Sequence, residues 1–343
     1  MNDTKVDINK FRSSLFADVV GQTQTKKTMD FYLDSYYTTR FVPNMMFVAP
    51  KGQGKTTIAR ELAKGLVQFD EEGNVMEVPS KLDPEVMKPK RKPFVEINCS
   101  TLKNVKQFIN GLIIPHVQDK DVTLLFDEAS EIPRDVSMAL LTILNPNPTN
   151  RTTYSMDEYV CDFDFTRQTF IFATSEIHKV FHALNDRLER ITLQDYTSSD
   201  LAEIVHKGIP DVDCRDGVLD QVATVLRGNA RAGQKMASKI AAYLKGHNVF
   251  DALKWENLKE ILSIAPLGLN PLEIQILYFL QENLIGTSLT GLSAKTGMSR
   301  ESLRLDSEIY LLKHNLMEVA TTGRQITAKG QEYLKALPSY IAV

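Results

Sequence analysis

Gly52, Gly54, Lys55, Thr56 and Thr57 stand together in a loop, Ala49-Pro50-Lys51-Gly52-Gln53-Gly54-Lys55-Thr56-Thr57, that follows the apolar run Met45-Met46-Phe47-Val48. Glycines let successive backbone N–H groups turn toward one anion, and the start of the next helix adds its positive dipole end. In such a loop Lys55 reaches the β- and γ-phosphates of a nucleotide, and the Thr56 hydroxyl ligates Mg²⁺. Ala49 takes the place where the pattern usually opens with glycine. About seventy residues further on, Asp127 and Glu128 close the apolar run that begins at Val122. Asp127 suits the Mg²⁺ shell, and Glu128 suits polarising the water that attacks the γ-phosphate. An acidic pair alone often just caps a following helix; this one gains force from its place after a phosphate loop. Thr174 and Ser175 end a third apolar run, TFIFATS. Either hydroxyl could touch the γ-phosphate or its attacking water, or simply cap the strand.

These groups need a scaffold that brings strand ends together. Short apolar runs separated by helical patterns predict a buried parallel sheet with helices on both faces, whose ligands bind at the carboxyl ends of the strands. Strands are expected at Met45–Val48, Phe94–Asn98, around Leu124–Phe126, at Thr169–Ser175 and at Ile191–Leu193, with helices over Thr23–Tyr37, Ile58–Lys64, Leu102–Ile114 and Arg134–Leu144. Arg151–Arg167 alternates polar and apolar residues, which predicts a projecting hairpin. Phe69–Pro93 carries an acidic run and the cluster Lys88-Pro89-Lys90-Arg91-Lys92-Pro93. It reads first as a solvated surface excursion, with a phosphate-binding arm as the less favoured alternative.

From Leu201 to Leu262 the pattern is helical throughout, with Arg227-Gly228-Asn229-Ala230-Arg231 opening a long helix that ends near Leu244. Pro266–Asn270 is a linker. Helices at Pro271–Glu282, Leu289–Thr296 and Arg300–His314, the last capped by Ser299, then two short strands and a helix over Ala328–Leu337, make a winged helix. That module serves DNA binding and protein contacts alike.

At 343 residues, 43% hydrophobic and 24% charged, the chain has the composition of an ordinary soluble globular protein with room for two or three domains. The net charge of −3 gives no global push toward nucleic acid, so any DNA binding must come from local patches. Cys99, Cys161 and Cys214 lack CxxC spacing and fit reduced thiols in a cytoplasmic protein. No apolar run is long enough to span a bilayer, and the polar start is no signal peptide.

The order of phosphate loop, Asp-Glu strand, Thr-Ser strand and Gly-Asn-Ala-Arg helix is that of an AAA+ ATPase. The chain further resembles the RuvB family, hexameric motors of Holliday-junction branch migration. The resemblance is carried by FADVVGQ, APKGQGKTTIA, LLFDE, FIFATS, NDRLERI, RGNAR and GLNPLEIQIL, then a winged helix closing on TTGRQITAKGQEYL. It implies an AAA+ α/β domain over 1–195, a helical lid over 196–265 and a winged-helix domain over 266–343. By the same resemblance Phe11 and Arg12, upstream of Gly21, match the family's Leu-Arg pair near the nucleotide. Gly52, Gly54, Lys55, Thr56 and Thr57 match its phosphate and Mg²⁺ contacts, and Tyr196 an adenine-side tyrosine. Arg187 matches the arginine finger given to the neighbouring subunit, Arg231 the lid arginine that senses nucleotide state, and Arg324 the surviving cation of the DNA-binding wing. ATP, Mg²⁺, a homo-hexameric ring, double-stranded or junction DNA and a RuvA-like partner are all implied.

The chain also departs from that family. Ala129-Ser130-Glu131 replaces the Ile-His-Arg after Asp-Glu, the Arg151–Arg167 hairpin lacks the RuvA contact, and the wing tip reads VATTGR instead of an arginine-rich sequence. Residues 267–343 hold seven Lys+Arg against seven Asp+Glu. Branch migration along duplex DNA is the leading expectation. A AAA+ loader or remodeller whose winged helix binds a protein is the alternative, and a module that binds ATP without much turnover is a third.

Overall fold

The computed structural model describes residues 11, 14–145, 151–156, 159–283 and 285–341, with the backbone alone described within 151–164. Five strands build the central sheet: β1 (Met45–Val48), β2 (Phe94–Asn98), β3 (Thr123–Asp127), β4 (Thr169–Thr174) and β5 (Glu189–Thr192). They pair in parallel in the spatial order β2-β3-β4-β1-β5. A parallel sheet is covered on both faces, so its central strands must be apolar without alternation. β1 and β4 accordingly are buried at every position, and β3 is buried up to Asp127.

Alternate residues feed two cores, as a period of two requires. Met46, Val48, Phe126 and Phe172 pack on one face with Phe108 and Leu140. Met45, Phe47, Leu125 and Ile171 pack on the other with Met29, Leu33, Ile58 and Leu62. Those last four belong to α1 (Thr23–Thr39) and α2 (Lys55–Gly65), while Leu140 belongs to α3 (Arg134–Ile143). From β1 the chain crosses to β2 at the far edge and returns through β3 and β4. That reversal opens a crevice at the carboxyl end of β1, where such folds bind ligands.

Two local readings change. The expected single helix over 102–114 becomes a short turn, Val105–Phe108, continuing into wide i→i+5 turns over Ile109–Val117 that contain Pro115, a residue without an N–H to give. The 69–93 excursion is only partly solvated. Glu77–Pro79 and Met87–Pro89 form an antiparallel pair. Lys92, 7% exposed, sits 2.8 Å from Asp121 and donates to the Arg167 carbonyl at 2.9 Å. Burial lowers the Lys92 pKa, against the pull of Asp121. The lysine therefore belongs to the fold and not to a phosphate-binding arm. The expected hairpin is present as Arg151–Met156 paired with Tyr159–Asp164.

The chain divides into two compact units. One runs through Thr197 and takes in Asn229–Arg231; the other comprises Ser198–Gly228 and Ala232–Val343. The second unit opens with helix α4 (Ser198–Gly208). Its helical part is not helical throughout, because Asp213–Cys214 pairs in parallel with Val249–Phe250. Helix α5 spans Ala230–Leu244. The winged helix follows. Helix α6 (Pro271–Glu282) starts on a capping box in which Asn270 and Glu273 satisfy each other's backbone N–H. Helix α7 (Leu289–Thr296) ends at Gly297, whose φ of 72° suits the left-handed C-cap. Ser299 caps the next helical stretch, which runs from Arg300 to Lys313 with wide turns over Leu303–Glu308. Strands β6 (Met317–Ala320) and β7 (Gly323–Ile326) form the wing, and α8 (Ala328–Lys335) closes it. Ile274, Leu277, Leu280, Leu292, Leu303 and Leu311 fill its core.

No helix among the described residues is long and apolar enough to cross a membrane. Cys99 and Cys214 are free thiols.

Candidate active site

The loop after β1 owes its shape to two left-handed glycines, Gly52 at φ 82° and Gly54 at φ 87°. A side chain at either would be strained and crowded. A Cβ on Gly52 would lie 2.3 Å from Asn229 Oδ1, and one on Gly54 would lie 2.8 Å from the Tyr196 hydroxyl. Gly54 is also the N-cap of α2, so Lys55, Thr56 and Thr57 form its first turn, where N–H groups lack intrahelical partners. Lys55 folds back on the loop, donating from Nζ to the carbonyls of Ala49 at 2.7 Å and Pro50 at 3.0 Å. Burial lowers its pKa, while Asp127 raises it and the Arg231 charge lowers it.

Thr56 Oγ1 donates to Asp127 Oδ2 at 3.0 Å, which brings the two expected Mg²⁺ ligands into one place. The other carboxylate oxygen of Asp127 accepts from the Glu128 N–H at 3.0 Å. Glu128 itself is left-handed, at φ 57° and ψ 49°, and exposed. That backbone costs a non-glycine residue about 1–2 kcal/mol. It turns the chain sharply after β3 into the helical turn Ala129–Glu131.

Thr174, fully buried at the end of β4, accepts from the Glu176 N–H at 3.0 Å. That bond uses one lone pair of its hydroxyl and leaves the O–H able to donate. Ser175 follows it, half-buried. Tyr196 is buried and gives its hydroxyl to the Gln53 carbonyl at 3.4 Å. Arg231 donates its N–H to the Gly52 carbonyl at 3.3 Å and carries its side chain exposed. Arg187 donates from Nη1 to the Ala183 carbonyl at 2.8 Å, and its Nε is buried without a hydrogen-bond partner among the described residues.

The remaining expected residues are more dispersed. Gly21 at φ 60° and Gln22 at φ 52° make two successive left-handed steps before α1. Phe11 packs at the edge of the core holding α1 and α2, with the Arg91 guanidinium 5.5 Å from its ring centroid. Arg12 lies outside the described residues. Arg324, expected as a wing cation open to DNA, instead gives Nε and Nη2 to the Glu308 carboxylate at 3.1 Å each, with only 19% of its side chain exposed.

Two contributors were not singled out from the sequence. Gln22 clamps the strand exit, donating to the Gln194 carbonyl at 2.7 Å and accepting from its N–H at 3.1 Å. Asn229 donates to the Lys51 carbonyl at 3.0 Å and fills the space that Gly52 leaves. Both sit inside motifs recognised for other residues, FADVVGQ and RGNAR, but their partners are remote in the chain.

A phosphate cradle, a hydroxyl-carboxylate pair and a following glutamate at the ends of parallel strands define a nucleoside-triphosphate hydrolase of the AAA class. Residues 45–196 match the ATPase family associated with various cellular activities (AAA), and residues 266–335 match the RuvB C-terminal winged helix domain. The Holliday junction branch migration complex subunit RuvB of Ehrlichia canis is 25% identical over 96% of this chain and 94% of its own length. That of Ureaplasma urealyticum is 25% identical over 95% and 97%. A solved structure of the Thermotoga maritima RuvB Holliday junction branch migration motor superposes with a TM-score of 0.70 at 19% identity, covering 92% of this chain and 95% of that one. The chain thus carries an AAA ATPase domain and a RuvB-type winged helix, is similar to RuvB subunits over nearly its whole length, and is an ATPase.

Proposed function

We propose that the protein is a ring-forming motor that couples ATP hydrolysis to movement of double-stranded DNA, driving branch migration at Holliday junctions in recombination and repair. The observation that supports this above all is the extent of the likeness. RuvB relatives align over nearly the whole chain, with the AAA domain and the RuvB-type winged helix in one sequence. A loader or remodeller whose winged helix binds a protein would show the same domain order, but the relatives that align end to end are branch migration subunits.

The residues fit ATP and Mg²⁺. The positive-φ glycines clear the backbone for phosphate, and the paired oxygens of Thr56 and Asp127 are the hard donors that Mg²⁺ takes. Bound there, the ion supplies charge neutralisation at the phosphate oxygens. Lys55 adds a second positive charge once its ammonium leaves the loop carbonyls. Glu128 orients water and accepts its proton, and Thr174 or Ser175 hydrogen-bonds to that water or to the γ-phosphate. Arg231 and Tyr196 flank the loop, reading nucleotide state and holding the adenine side. Arg187 serves a neighbouring copy, whose γ-phosphoryl charge it stabilises, so hydrolysis needs the ring. A hexamer and a RuvA-like partner in the cytoplasm complete the assignment.

The test is ATP-dependent displacement of a strand from a four-way junction, together with ATPase rates with and without duplex. Intact hydrolysis that no DNA stimulates would sink the proposal.

A further inference from the structure

Arg227 opens the RGNAR motif but is absent from the nucleotide site. Its guanidinium lies within the second unit, where it makes a two-pronged pair with Glu273, Nη1 to Oε2 at 3.0 Å and Nη2 to Oε1 at 2.9 Å. The same guanidinium stacks on Tyr310, 3.7 Å from the ring centroid. Glu273 has no exposed surface and Arg227 has 27% of its side chain exposed, so the pair is largely out of water. Two parallel N–H···O bonds and a stack fix orientation as well as distance, which a single ammonium contact does not.

The surroundings extend this joint. Glu273 Oε2 also accepts from the Asn270 N–H at 2.9 Å, so the carboxylate that holds Arg227 is the one that starts α6. Tyr310 donates to the Leu267 carbonyl at 2.7 Å, and Tyr333 donates to the Pro266 carbonyl at 2.7 Å. The linker between the helical part and α6 is therefore held by two tyrosines of the winged helix. On its other side Gly268 presses against the helical part; a Cβ there would lie 2.1 Å from the Val225 carbonyl oxygen. A linker between two modules is ordinarily mobile. This one is engaged on both sides.

Arg227 also has an unusual backbone. It is left-handed at φ 58° and is followed by Gly228 at φ 69°. Such a conformation in a non-glycine residue persists where its surroundings over-determine it, and the grip on Glu273 and Tyr310 does so. In the chain Arg227 stands two residues before Asn229 and four before Arg231.

We propose that Arg227 is a positioning residue, seated on Glu273 and Tyr310, that makes the helical part and the winged helix of the second unit one rigid lever, whose displacement during ATP turnover starts at the adjoining Asn229–Arg231 segment. The coupling half of this statement rests on the reading of the protein as a DNA motor. The rigidity half does not.

The experiment labels exposed Lys239 on α5 and Lys335 on α8, each replaced by cysteine in a chain lacking native cysteines, with nitroxides, and measures their separation by pulsed spin resonance. The native protein gives one narrow distance that is the same without nucleotide, with ADP and with a non-hydrolysable ATP analogue. Arg227→Met broadens it, while Tyr310→Leu, which keeps the ion pair and most of the apolar volume, broadens it less. A native distance that changes with nucleotide, or an Arg227→Met distribution as narrow as the native one, overturns the rigid lever. These arms need no DNA, so they decide the point even if the motor reading fails. In the motor assay Arg227→Met keeps its ATPase rate but loses junction displacement per ATP by about 2–30-fold, the range expected of an uncoupled contact network. A parallel fall in both rates, or no change in displacement, overturns the coupling. Arg227→Lys does not restore it, because an ammonium cannot form the fork.

Discussion

Just before β5, Arg187 keeps a buried Nε without a hydrogen-bond partner among the described residues, whereas at the wing Arg324 has Nε and Nη2 engaged by Glu308. Both arginines occupy positions that the family resemblance assigns to charge recognition. An arginine with an orphaned buried donor gains from any rearrangement that brings it an acceptor; one whose fork already holds a carboxylate would first have to exchange it. The comparison separates an arginine whose hydrogen bonding is incomplete within the fold from one whose charge is held by an internal carboxylate.

The largest expected effect comes from Arg187→Ala, with a loss of ATP turnover of about 10³-fold or more, as for other trans-acting arginines. In rings doped with increasing amounts of this variant, activity should fall faster than the variant fraction; strict proportionality would place Arg187's action within its own subunit and erase the contrast. Glu128→Gln should retain nucleotide binding and lose turnover by about 10²–10⁴-fold, the usual weight of a general base. Unchanged hydrolysis would remove Glu128 from the water-positioning role.

At the wing, Arg324→Ala should lower the stability of the winged helix by about 1–3 kcal/mol, by breaking a part-buried pair, and change DNA affinity little. Glu308→Gln then sharpens the contrast. A released Arg324 should tighten duplex binding and steepen the slope of log affinity against log salt by about one phosphate contact. If Arg324→Ala alone abolishes DNA binding, the inward-turned reading is wrong.

The smallest effect concerns His314, whose ring centroid lies 4.4 Å from that of Tyr310. Burial lowers its pKa first, helped by Lys329, Lys313 and Arg227. A folded-state pKa below the unfolded value means that protonation favours unfolding. The associated stability is present above the ordinary histidine value of about 6.5 and is lost as pH falls through the depressed one. Melting of the winged helix should show this acid sensitivity, and His314→Gln should reduce it.

Most of the candidate site's local geometry is legible in the sequence, because its signals are local. Positive-φ glycines, an apolar strand and a helix start are contiguous in residues 45–65, and Asp127 and Glu128 mark their strand by ending it. Errors arose where a residue's neighbour is distant in the chain. The basic cluster at 88–93 reads as solvated until Asp121 and the Arg167 carbonyl are seen to hold Lys92. One exception was local: the helix expected over 102–114 runs into Pro115, the residue after its expected end, and widens. The short pairing of Asp213–Cys214 with Val249–Phe250 is too brief to leave a periodicity.

Residue types and their order therefore suffice to specify a phosphate loop, its carboxylates, the parallel sheet beneath them and the winged helix that follows, since each rests on backbone conformation and on burial periodicity within a few residues. Partner choice is a different matter. Gln22 meets Gln194 across 172 residues, Asn229 meets Lys51 across 178, and Arg324 meets Glu308 across sixteen, in arrangements that only packing creates. Whether a charged side chain is offered to a ligand or satisfied within the fold depends on which opposite charge the tertiary structure places within about 3 Å of it, because the pair's attraction falls with distance and its desolvation is fixed by burial.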